Sequence, residues 1–580
     1  MSMNQLIERR ALLRAGAFGA AGLGLVGLLP AWAQTGTHGI AHPHHPVLSG
    51  EDIRLRVAHG HFSVGGRSGH AVTLNGVLPA PLVRLREGQN VRIHVENTLD
   101  EDTSIHWHGL IVPFQMDGVP GVSFPGIKAR STFTYEFPIK QSGTYWYHSH
   151  SGLQEQLGHY GPLVIDPAGP SPVAFDREHV IVLSDWTFLH PHQVLSRLKQ
   201  EGGFFNWQKQ TLLGRLRGED GMRAEDRAMF ARMRMDPTDI ADVTGAAYTF
   251  LINGHGPQEN WTGLFRPGER VRLRIVNAAA HTIFNLRIPG LRMTVVATDG
   301  QYVRPVAVDE FQIGNAETYD VIVQPDEDRA FTFVAETIDR SGMARATLAT
   351  RPGMTAPVPP LRKRPLLTMK DMGMGGMDHA AMGHGSGAAA PMDHSKMNMR
   401  DKSKVNFPVG VGVDMISPNP IDRTGDPGVG LEDVGHKVLT YRDLVSLYPN
   451  TDKRVPARNV EIHLTGNMER FMWSIDGEKF SQNPEPIRFA RNERVRLTMV
   501  NDTMMTHPMH LHGHFFEIVN GHPGSQPLKH TIMVLPGGKA SVDLTADAPG
   551  DWAFHCHLLY HMHAGMMRVV KVRPLEGDAA

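Results

Sequence analysis

The chain has 580 residues, with 58 basic and 59 acidic side chains and a formal net charge of −1. This balance excludes a strongly basic surface, so nucleic acid is not predicted as a partner. The length exceeds what one hydrophobic core supports and predicts three or four domains. Histidine, with 33 residues, and methionine, with 29, are over-represented.

Residues 1–33 have the pattern of an export signal. Arg9 and Arg10 form a twin-arginine pair, an apolar stretch follows over 15–29, and Ala-Trp-Ala at 31–33 fits the cleavage rule. The apolar stretch is diluted by glycine and alanine and is shorter than the roughly 18–20 strongly apolar residues of a membrane-spanning helix. We predict cleavage near Gln34, export by the twin-arginine machinery, a soluble periplasmic product and no stable membrane insertion. The histidines after the cleavage site could bind Cu(II), but a solvated tail is favoured; they are His38, His42, His44 and His45.

Three segments share one pattern. They are REGQNVRIHVEN (86–97), RPGERVRLRIVN (266–277) and ARNERVRLTMVN (490–501). Nine residues beyond the final asparagine lie His106, Leu286 and His510, respectively. Alternating apolar residues with glycine, proline and asparagine between them predict strands, and three copies predict three related β-sandwich domains.

The first and third of these domains each have two His-x-His pairs at equivalent places. Residues i and i+2 of a strand point to the same face, so each pair aims two imidazoles at one place. GTYWYHSH (143–150) aligns with GDWAFHCH (550–557), and Ser149 stands where the other segment has Cys556. The eight imidazoles are enough for three metal ions between the outer domains; they belong to His106, His108, His148, His150, His510, His512, His555 and His557.

Between the outer domains lie two segments of different character. Residues 191–236 mix charged and apolar residues and predict a helical insertion on domain two. Residues 353–436 are rich in Gly, Pro, Met and His, with MDHAAM (377–382) and MDHSKM (392–397) and eight methionines over 369–399. The irregular spacing predicts a flexible insert rather than a buried methionine stripe. It is either a disordered linker or, as we favour, a segment that captures Cu(I) through soft thioethers.

Cys556 is the single cysteine of the chain, so it forms no internal disulfide. With His507, His561 and Met566 it provides one thiolate, two imidazoles and a weak thioether, the ligands of a mononuclear copper site. On a strand the thiolate points away from His555 and His557. One short strand can therefore hold this copper and reach the second metal site, which gives electrons a covalent path.

The motifs HWHG, HSH, HPMHLHG and HCHLLYHMHAGM resemble those of the multicopper oxidases, and the resemblance covers nearly the whole mature chain. HWHGLIVPFQMDGVPGVSFPG (106–126) is most similar to bacterial periplasmic copper-resistance oxidases. The resemblance implies an all-β fold of three cupredoxin-like Greek-key β-sandwich domains, with the helical insertion and a disordered Met-rich insert. The predicted divisions are the signal (1–33), domain 1 (34–170), domain 2 (171–352), a Met/His-rich linker (353–436) and domain 3 (437–580).

The resemblance also implies four copper ions. His507, Cys556, His561 and Met566 would bind the type 1 ion, which takes electrons from substrate and passes them through Cys556 to His555 and His557. A cluster of three further ions would reduce dioxygen to water with four electrons. Its type 2 ligands would be His106 and His510, and its type 3 ligands His108, His148, His150, His512, His555 and His557.

Protons must also reach the cluster. Asp117 in QMDGVPG is a candidate carboxylate by family position, although an aspartate before glycine is also common in turns. Many relatives have a glutamate where this chain has Tyr560, so a second carboxylate is not assigned.

The predicted function is periplasmic oxidation of Cu(I) to Cu(II) with dioxygen, in copper resistance, with phenols as further substrates. The alternatives are a laccase whose main substrates are phenols, and a non-enzymatic protein that sequesters copper. A two-domain nitrite reductase fits less well because it would lack the eight-histidine cluster and the third repeat.

Overall fold

The computed structural model describes residues 46–218, 221–222, 224–232, 235–374 and 398–574. The predicted export signal, the histidines at 38–45 and both MDHxxM motifs lie outside the described residues. Within the described ranges, no helix has the length and apolarity needed to cross a bilayer.

Domain 1 consists of two sheets. Its strands are β1 (Val47–Ser49), β2 (Asp52–Val64), β3 (Arg67–Leu74), β4 (Leu82–Arg86), β5 (Asn90–Asn97), β6 (His106–His108), β7 (Thr132–Pro138), β8 (Gly143–His148) and β9 (Tyr160–Asp166). One sheet has the order β1-β4-β9-β8-β6 and the other β3-β2-β5-β7. Alternate residues of β2 and β5 face an apolar core that the two sheets enclose.

Domain 2 has the same plan and carries three additional helices. Its strands are β10 (Arg177–Trp186), β11 (Thr249–Ile252), β12 (Thr262–Leu264), β13 (Val271–Asn277), β14 (Phe284–Arg287), β15 (Met293–Thr298), β16 (Gln301–Val308), β17 (Glu310–Ile313), β18 (Thr318–Val323), β19 (Phe331–Thr337) and β20 (Met343–Ala349). The sheet orders are β11-β10-β13-β18-β15-β16 and β12-β20-β19-β14-β17. Between β10 and β11 lie α1 (Pro191–Gln200), α2 (Leu212–Leu216) and α3 (Ala224–Arg232), which confirm the predicted helical insertion.

Domain 3 repeats the plan once more. Its elements are β21 (Arg458–Asn467), β22 (Met472–Ile475), β23 (Ile487–Ala490), β24 (Arg494–Asn501), β25 (His507–Leu511), β26 (Phe516–Ile518), β27 (Leu528–Lys529), β28 (Thr531–Val534), β29 (Lys539–Thr545), β30 (Gly550–Cys556), α4 (Leu559–Ala564) and β31 (Met567–Arg573). The sheet orders are β22-β21-β24-β29-β26-β27 and β23-β31-β30-β25-β28.

The three repeated segments become equivalent strands. β5, β13 and β24 each pair in parallel with the first long strand of their domain and antiparallel with a later strand. Each ends in a buried asparagine whose Oδ1 accepts the backbone N–H two residues on. Its Nδ2 donates to one carbonyl group of the following loop and to another that lies 30 to 36 residues further along the chain. The predicted all-β fold of three related cupredoxin-like sandwiches is therefore confirmed.

The expectation of a flexible, unburied methionine segment is wrong for the parts that the structure describes. Residues 353–374 and 398–436 form loops with short 3-10 turns at Lys370–Met372 and Lys402–Lys404. Met372, Met374 and Met415 are buried in a cluster with residues of domains 2 and 3. Flexible thioether side chains fill irregular gaps well, which accounts for their burial at this seam. Residues 375–397, which contain both MDHxxM motifs, lie outside the described residues.

Candidate metal centre

The His-x-His pairs lie on equivalent strands of domains 1 and 3. β6 carries His106 and pairs with β8, so that His106 lies opposite His148. β25 carries His510 and pairs with β30, so that His510 lies opposite His555. The repeated fold therefore presents four imidazoles from each outer domain. The equivalent pair in domain 2 places Leu286 opposite Ala335.

The eight imidazoles form three groups, and within each group the ligand nitrogen atoms lie within 4.8 Å of one another. Each group contains residues of both outer domains. The His512 and His555 Nε2 atoms are 3.1 Å apart, and the His150 and His555 Nε2 atoms are 3.2 Å apart. The groups are His106, His108 and His510; His108, His148 and His557; and His150, His512 and His555.

The nitrogen atoms that face the centre are suited to a metal. Five are buried and have no hydrogen-bond partner among the described residues: His106 Nε2, His108 Nδ1, His148 Nε2, His510 Nε2 and His557 Nε2. Burial, together with the neighbouring imidazoles, holds the pKa of His108, His148 and His557 well below the ordinary value. These imidazoles are therefore neutral, the form that binds metal, and the site fits a cluster of metal ions.

In three of these imidazoles the opposite ring nitrogen is held by a hydrogen bond to a carbonyl group, which fixes the ring in one orientation and one tautomer. His106 Nδ1 donates to the Asp117 carbonyl at 2.7 Å, and His510 Nδ1 donates to the His530 carbonyl at 2.7 Å. His555 Nδ1 donates to the Cys556 carbonyl at 3.0 Å. The ligand atoms are therefore aimed at the centre by the protein itself.

Asp117 is buried where domain 1 meets domain 3. Its carboxylate Oδ2 accepts from His512 Nδ1 at 2.9 Å, and its backbone carbonyl accepts from His106. The next residue, Gly118, has φ of 88°, and a Cβ there would overlap the carbonyl oxygen of Ile105. Asp117 is therefore both an aspartate that precedes a turn glycine and a carboxylate beside the cluster, where it contacts the predicted ligands His106 and His512.

Glu155 is a contact that the sequence analysis missed. It begins the 3-10 turn Glu155–Leu157 and is 2% exposed. Its Oε2 lies 2.7 Å from His148 Nδ1, whereas Oε1 has no hydrogen-bond partner in the described structure. Burial, together with the charge of Asp185, raises the pKa of Glu155 well above the usual carboxyl value. A glutamate five residues beyond His150 carries no motif that would have identified it.

The mononuclear site is formed by His507, Cys556 and His561. The Cys556 Sγ atom lies 3.5 Å from His507 Nδ1 and 3.8 Å from His561 Nδ1, and the two Nδ1 atoms are 3.3 Å apart. Met566 is fully buried, and its carbonyl accepts the backbone N–H of Cys556 at 3.1 Å. Burial raises the pKa of the Cys556 thiol, so a bound cation would be needed to hold the thiolate.

Both histidines of this site use Nε2 for hydrogen bonds and so leave Nδ1 for a metal. His507 Nε2 lies 2.7 Å from Thr503 Oγ1. His561 Nε2 lies 2.7 Å from Asp242 Oδ2, which also accepts from His281 Nε2 at 2.8 Å. Asp242 comes from domain 2 and was not predicted from the sequence. It connects that domain directly to a predicted ligand of domain 3.

A cavity of about 700 Å³ adjoins this site. Thr503, the hydrogen-bond partner of His507, lies in its wall. The wall also contains four methionines, which are Met235, Met415, Met468 and Met504. Carboxylates outnumber basic groups there, with Glu201, Asp236, Asp239, Asp414, Glu469 and Asp502 against Lys209, Arg400 and Arg470. The approach to His507 is therefore rich in thioethers. Its carboxyl groups outnumber its basic groups, although burial and the charge of Asp242 raise the pKa of Asp239 well above the usual carboxyl value.

Comparisons with known proteins agree with this geometry. Three family models described as multicopper oxidase match residues 56–169, 177–353 and 453–576. The chain is 49% identical to Copper resistance protein A of Escherichia coli, over 95% of this chain and 97% of that protein. It is 31% identical to the multicopper oxidase MmcO of Mycobacterium tuberculosis, over 87% of this chain and 84% of that one. A laccase structure from Botrytis aclada shares the fold, with a TM-score of 0.61, 21% identity, and coverage of 91% of this chain and 88% of that one.

Proposed function

The chain belongs to the multicopper oxidase family, a family of copper-dependent oxidoreductases, and from this premise we propose that it is a periplasmic copper-resistance oxidase. Its substrate is Cu(I), which it oxidises to Cu(II) with dioxygen as the electron acceptor. The observation that carries the proposal is the convergence of eight imidazoles, seven of them buried and that of His150 half-buried, beside the strand of Cys556. The copper-resistance role is supported by the similarity to Copper resistance protein A.

Four copper ions fit the donor atoms. Their chemistry, when bound, is to accept single electrons and to reduce dioxygen to water. His507, Cys556, His561 and Met566 would hold the type 1 ion, and His106 and His510 the type 2 ion. The type 3 pair would be held by His108, His148, His150, His512, His555 and His557.

The residues around these ligands provide orientation and protons. Cys556 is joined through its own backbone to His555 and His557, so only a few covalent bonds separate the two sites. Dioxygen reduction consumes protons, and Asp117 can carry one on Oδ1, which has no hydrogen-bond partner in the described chain. Burial of all these groups keeps bulk water away from the centre.

The cavity beside His507 favours Cu(I) over a phenol as the main substrate. Thioethers are soft ligands that suit Cu(I), and the surplus of carboxylates attracts a cation. Phenols remain candidate additional substrates. Export through the twin-arginine machinery to the periplasm is supported by Arg9, Arg10 and the apolar stretch after them.

The proposed copper content can be tested on the purified mature chain. We expect four tightly bound copper ions, a thiolate charge-transfer band and consumption of dioxygen with Cu(I). Cys556→Ser should abolish the blue colour and the oxygen uptake. Oxygen uptake that survived this substitution would refute the mechanism, and copper binding without any oxidase activity would favour a sequestering protein.

The substrate can be tested at the cavity wall. The double substitution Met468→Leu and Met504→Leu removes two thioethers and keeps similar volumes. We expect a higher KM for Cu(I) and little change for 2,6-dimethoxyphenol. Met354→Leu, at a half-buried methionine outside the cavity wall, is the matched control. Equal effects of both variants on Cu(I), or a larger effect on the phenol, would favour a phenol-oxidising laccase.

The capture of Cu(I) by the Met-rich segment needs a separate test. Met372 and Met374 are buried, so a deletion that includes them would disturb the packing. Deletion of 375–397 removes both MDHxxM motifs and spares these residues. Capture predicts slower oxidation at low Cu(I) concentration, and unchanged Cu(I) kinetics would refute it.

A further inference from the structure

A group of histidines lies on the surface of domain 1, apart from the centres described above. His59 and His61 lie on β2 and His70 lies on β3, the edge strand of its sheet. His61 is directly opposite His70 in the strand register, and His59 is two residues from His61. The three side chains therefore project from the same face of the hairpin, and all three residues are exposed.

Two of these imidazoles have the spacing of a shared metal site. His59 Nδ1 and His70 Nε2 are 3.0 Å apart, with ring centroids separated by 4.9 Å. Metal–imidazole bonds of about 2.0–2.1 Å place two ligand nitrogens on one ion roughly 3 Å apart. In the centres of this chain, the His150–His555 and His507–His561 nitrogen pairs are separated by 3.2 Å and 3.3 Å. The surface pair matches these separations.

A third imidazole comes from domain 2. His190 is the N-cap of α1, and its Nδ1 accepts the backbone N–H of His192 at 3.3 Å, which leaves Nε2 for a ligand. A Cβ at Gly69, the residue before His70, would lie 3.2 Å from the ring of Phe188, so the chain segment that leads to His190 packs against this hairpin. Partial burial of its ring lowers the pKa of His70, and the neighbouring imidazoles of His59 and His190 lower it further. His70 is therefore biased toward the neutral form that binds metal.

The group continues toward the type 1 site. The His190 and His192 rings are stacked with centroids 5.4 Å apart, and the His192 ring lies 6.4 Å from that of His563. His563 belongs to α4, the helix that carries His561. The opposite end of α1 is followed by Glu201, in the wall of the thioether-lined cavity. Imidazoles and thioethers thus lie at opposite ends of one short helix.

We propose that His59, His70 and His190 bind a Cu(II) ion at this surface, in addition to the four ions of the redox centres. Imidazole nitrogen suits Cu(II), which also binds most tightly among the divalent ions of its series. Thioethers at the cavity prefer Cu(I), so substrate and product would occupy sites of different chemistry. That this site receives the Cu(II) formed by the enzyme rests on the proposed function. The binding of Cu(II) to these imidazoles does not depend on it.

The test is a titration of the fully copper-loaded mature chain with Cu(II) chloride, followed by calorimetry and electron spin resonance. We expect one further Cu(II) with nitrogen hyperfine structure. The double substitution His59→Ala and His70→Ala should weaken this binding at least about tenfold, and His190→Ala should weaken it less, because a site keeps more of its affinity when more of its imidazoles remain. Since the three residues are exposed, an unchanged blue absorbance band checks that each variant is folded.

His522→Ala is the matched control, because His522 lies on domain 3 and its ring donates to the Arg442 carbonyl. Equal binding of the further Cu(II) by the double variant and this control would overturn the proposal, since the ion would then lie elsewhere. If wild-type protein failed to oxidise Cu(I) but still bound this ion through His59 and His70, the role in product binding would be refuted and the Cu(II) site would stand.

Discussion

At the scale of single residues, Asp242 connects the mononuclear site to a different domain. Its Oδ2 accepts from His561 Nε2 at 2.7 Å and from His281 Nε2 at 2.8 Å, and it is 2% exposed. The hydrogen bond to His561 leaves Nδ1 as the nitrogen that faces Cys556. A buried negative charge beside a ligand also stabilises the more positive, oxidised state of a bound ion.

Asp242→Asn should therefore raise the reduction potential of the type 1 site. The substitution removes the charge and keeps the shape, and the rise should be about 59 mV for each tenfold loss in preference for the oxidised ion. Redox titration of the blue absorbance band measures this. Glu469→Gln is the control, because Glu469 is an exposed carboxylate of the cavity wall, whereas Asp242 contacts His561. An unchanged or lower potential in Asp242→Asn alone would contradict this role.

Residue spacing and family resemblance identified the ligand candidates, because each His-x-His pair is a local pattern on one strand. The groups that orient them were harder to find. Asp242 is separated by 319 residues from His561, and Glu155 reaches His148 from a turn with no motif of its own. Such contacts depend on how domains and loops pack, and a single sequence carries no local signal for them.

At the scale of secondary-structure elements, the asparagine that ends each repeated strand is a structural part of the fold. Asn277 is fully buried, and its Nδ2 donates to the Thr282 carbonyl at 3.0 Å and the Ile313 carbonyl at 3.2 Å. Its Oδ1 accepts the backbone N–H of Ala279 at 3.1 Å. These bonds fix the loop between β13 and β14, the loop that in the outer domains leads to the histidine strands.

Asn277→Ala should lower the free energy of unfolding by about 1–3 kcal/mol, because buried backbone groups lose their partners. Domain 2 contributes none of the proposed ligands, so copper content should not change. Denaturant unfolding measures the first effect and metal analysis the second. Asn90→Ala, at the exposed first residue of β5 in domain 1, is the control and should be close to neutral. Equal stability of the two variants would show that the buried asparagine is dispensable.

The strands could be predicted because apolar and polar residues alternate along them and because the same pattern occurs three times in the chain. The packing of the segments on either side of the Met-rich repeat was not predictable. Irregularly spaced methionine, glycine and proline residues occur in flexible segments and also in packed loops. Met372 and Met374 are buried against residues of two domains, and Asp371 binds Arg423 at 2.7 Å. The composition of a segment indicates whether it can form a hydrophobic core by itself. It does not indicate whether the segment packs against the core of another domain.

At the scale of the whole molecule, the proposed metal centre lies between the outer domains, and domain 2 contacts both of its sites. Asp242 contacts His561 of the mononuclear site. Asp299 of domain 2 accepts the backbone N–H groups of His530 and Thr531, each at 3.1 Å. The His530 carbonyl in turn accepts from His510 Nδ1. Domain 2, which contributes none of the proposed ligands, therefore positions proposed ligands of domain 3.

Removal of copper should consequently loosen the contact between domains 1 and 3. A ligand held at a free concentration 100 times its dissociation constant stabilises the folded state by about 2.7 kcal/mol, and the cluster ions are held by both domains. We expect copper-free protein to unfold at a lower temperature and over a broader range than the loaded protein in calorimetry. Cys556→Ser serves as the comparison, because the ligands of its lost ion all lie in domain 3. It should lower the unfolding temperature less, whereas an equal effect would mean that the cluster does not hold the outer domains together.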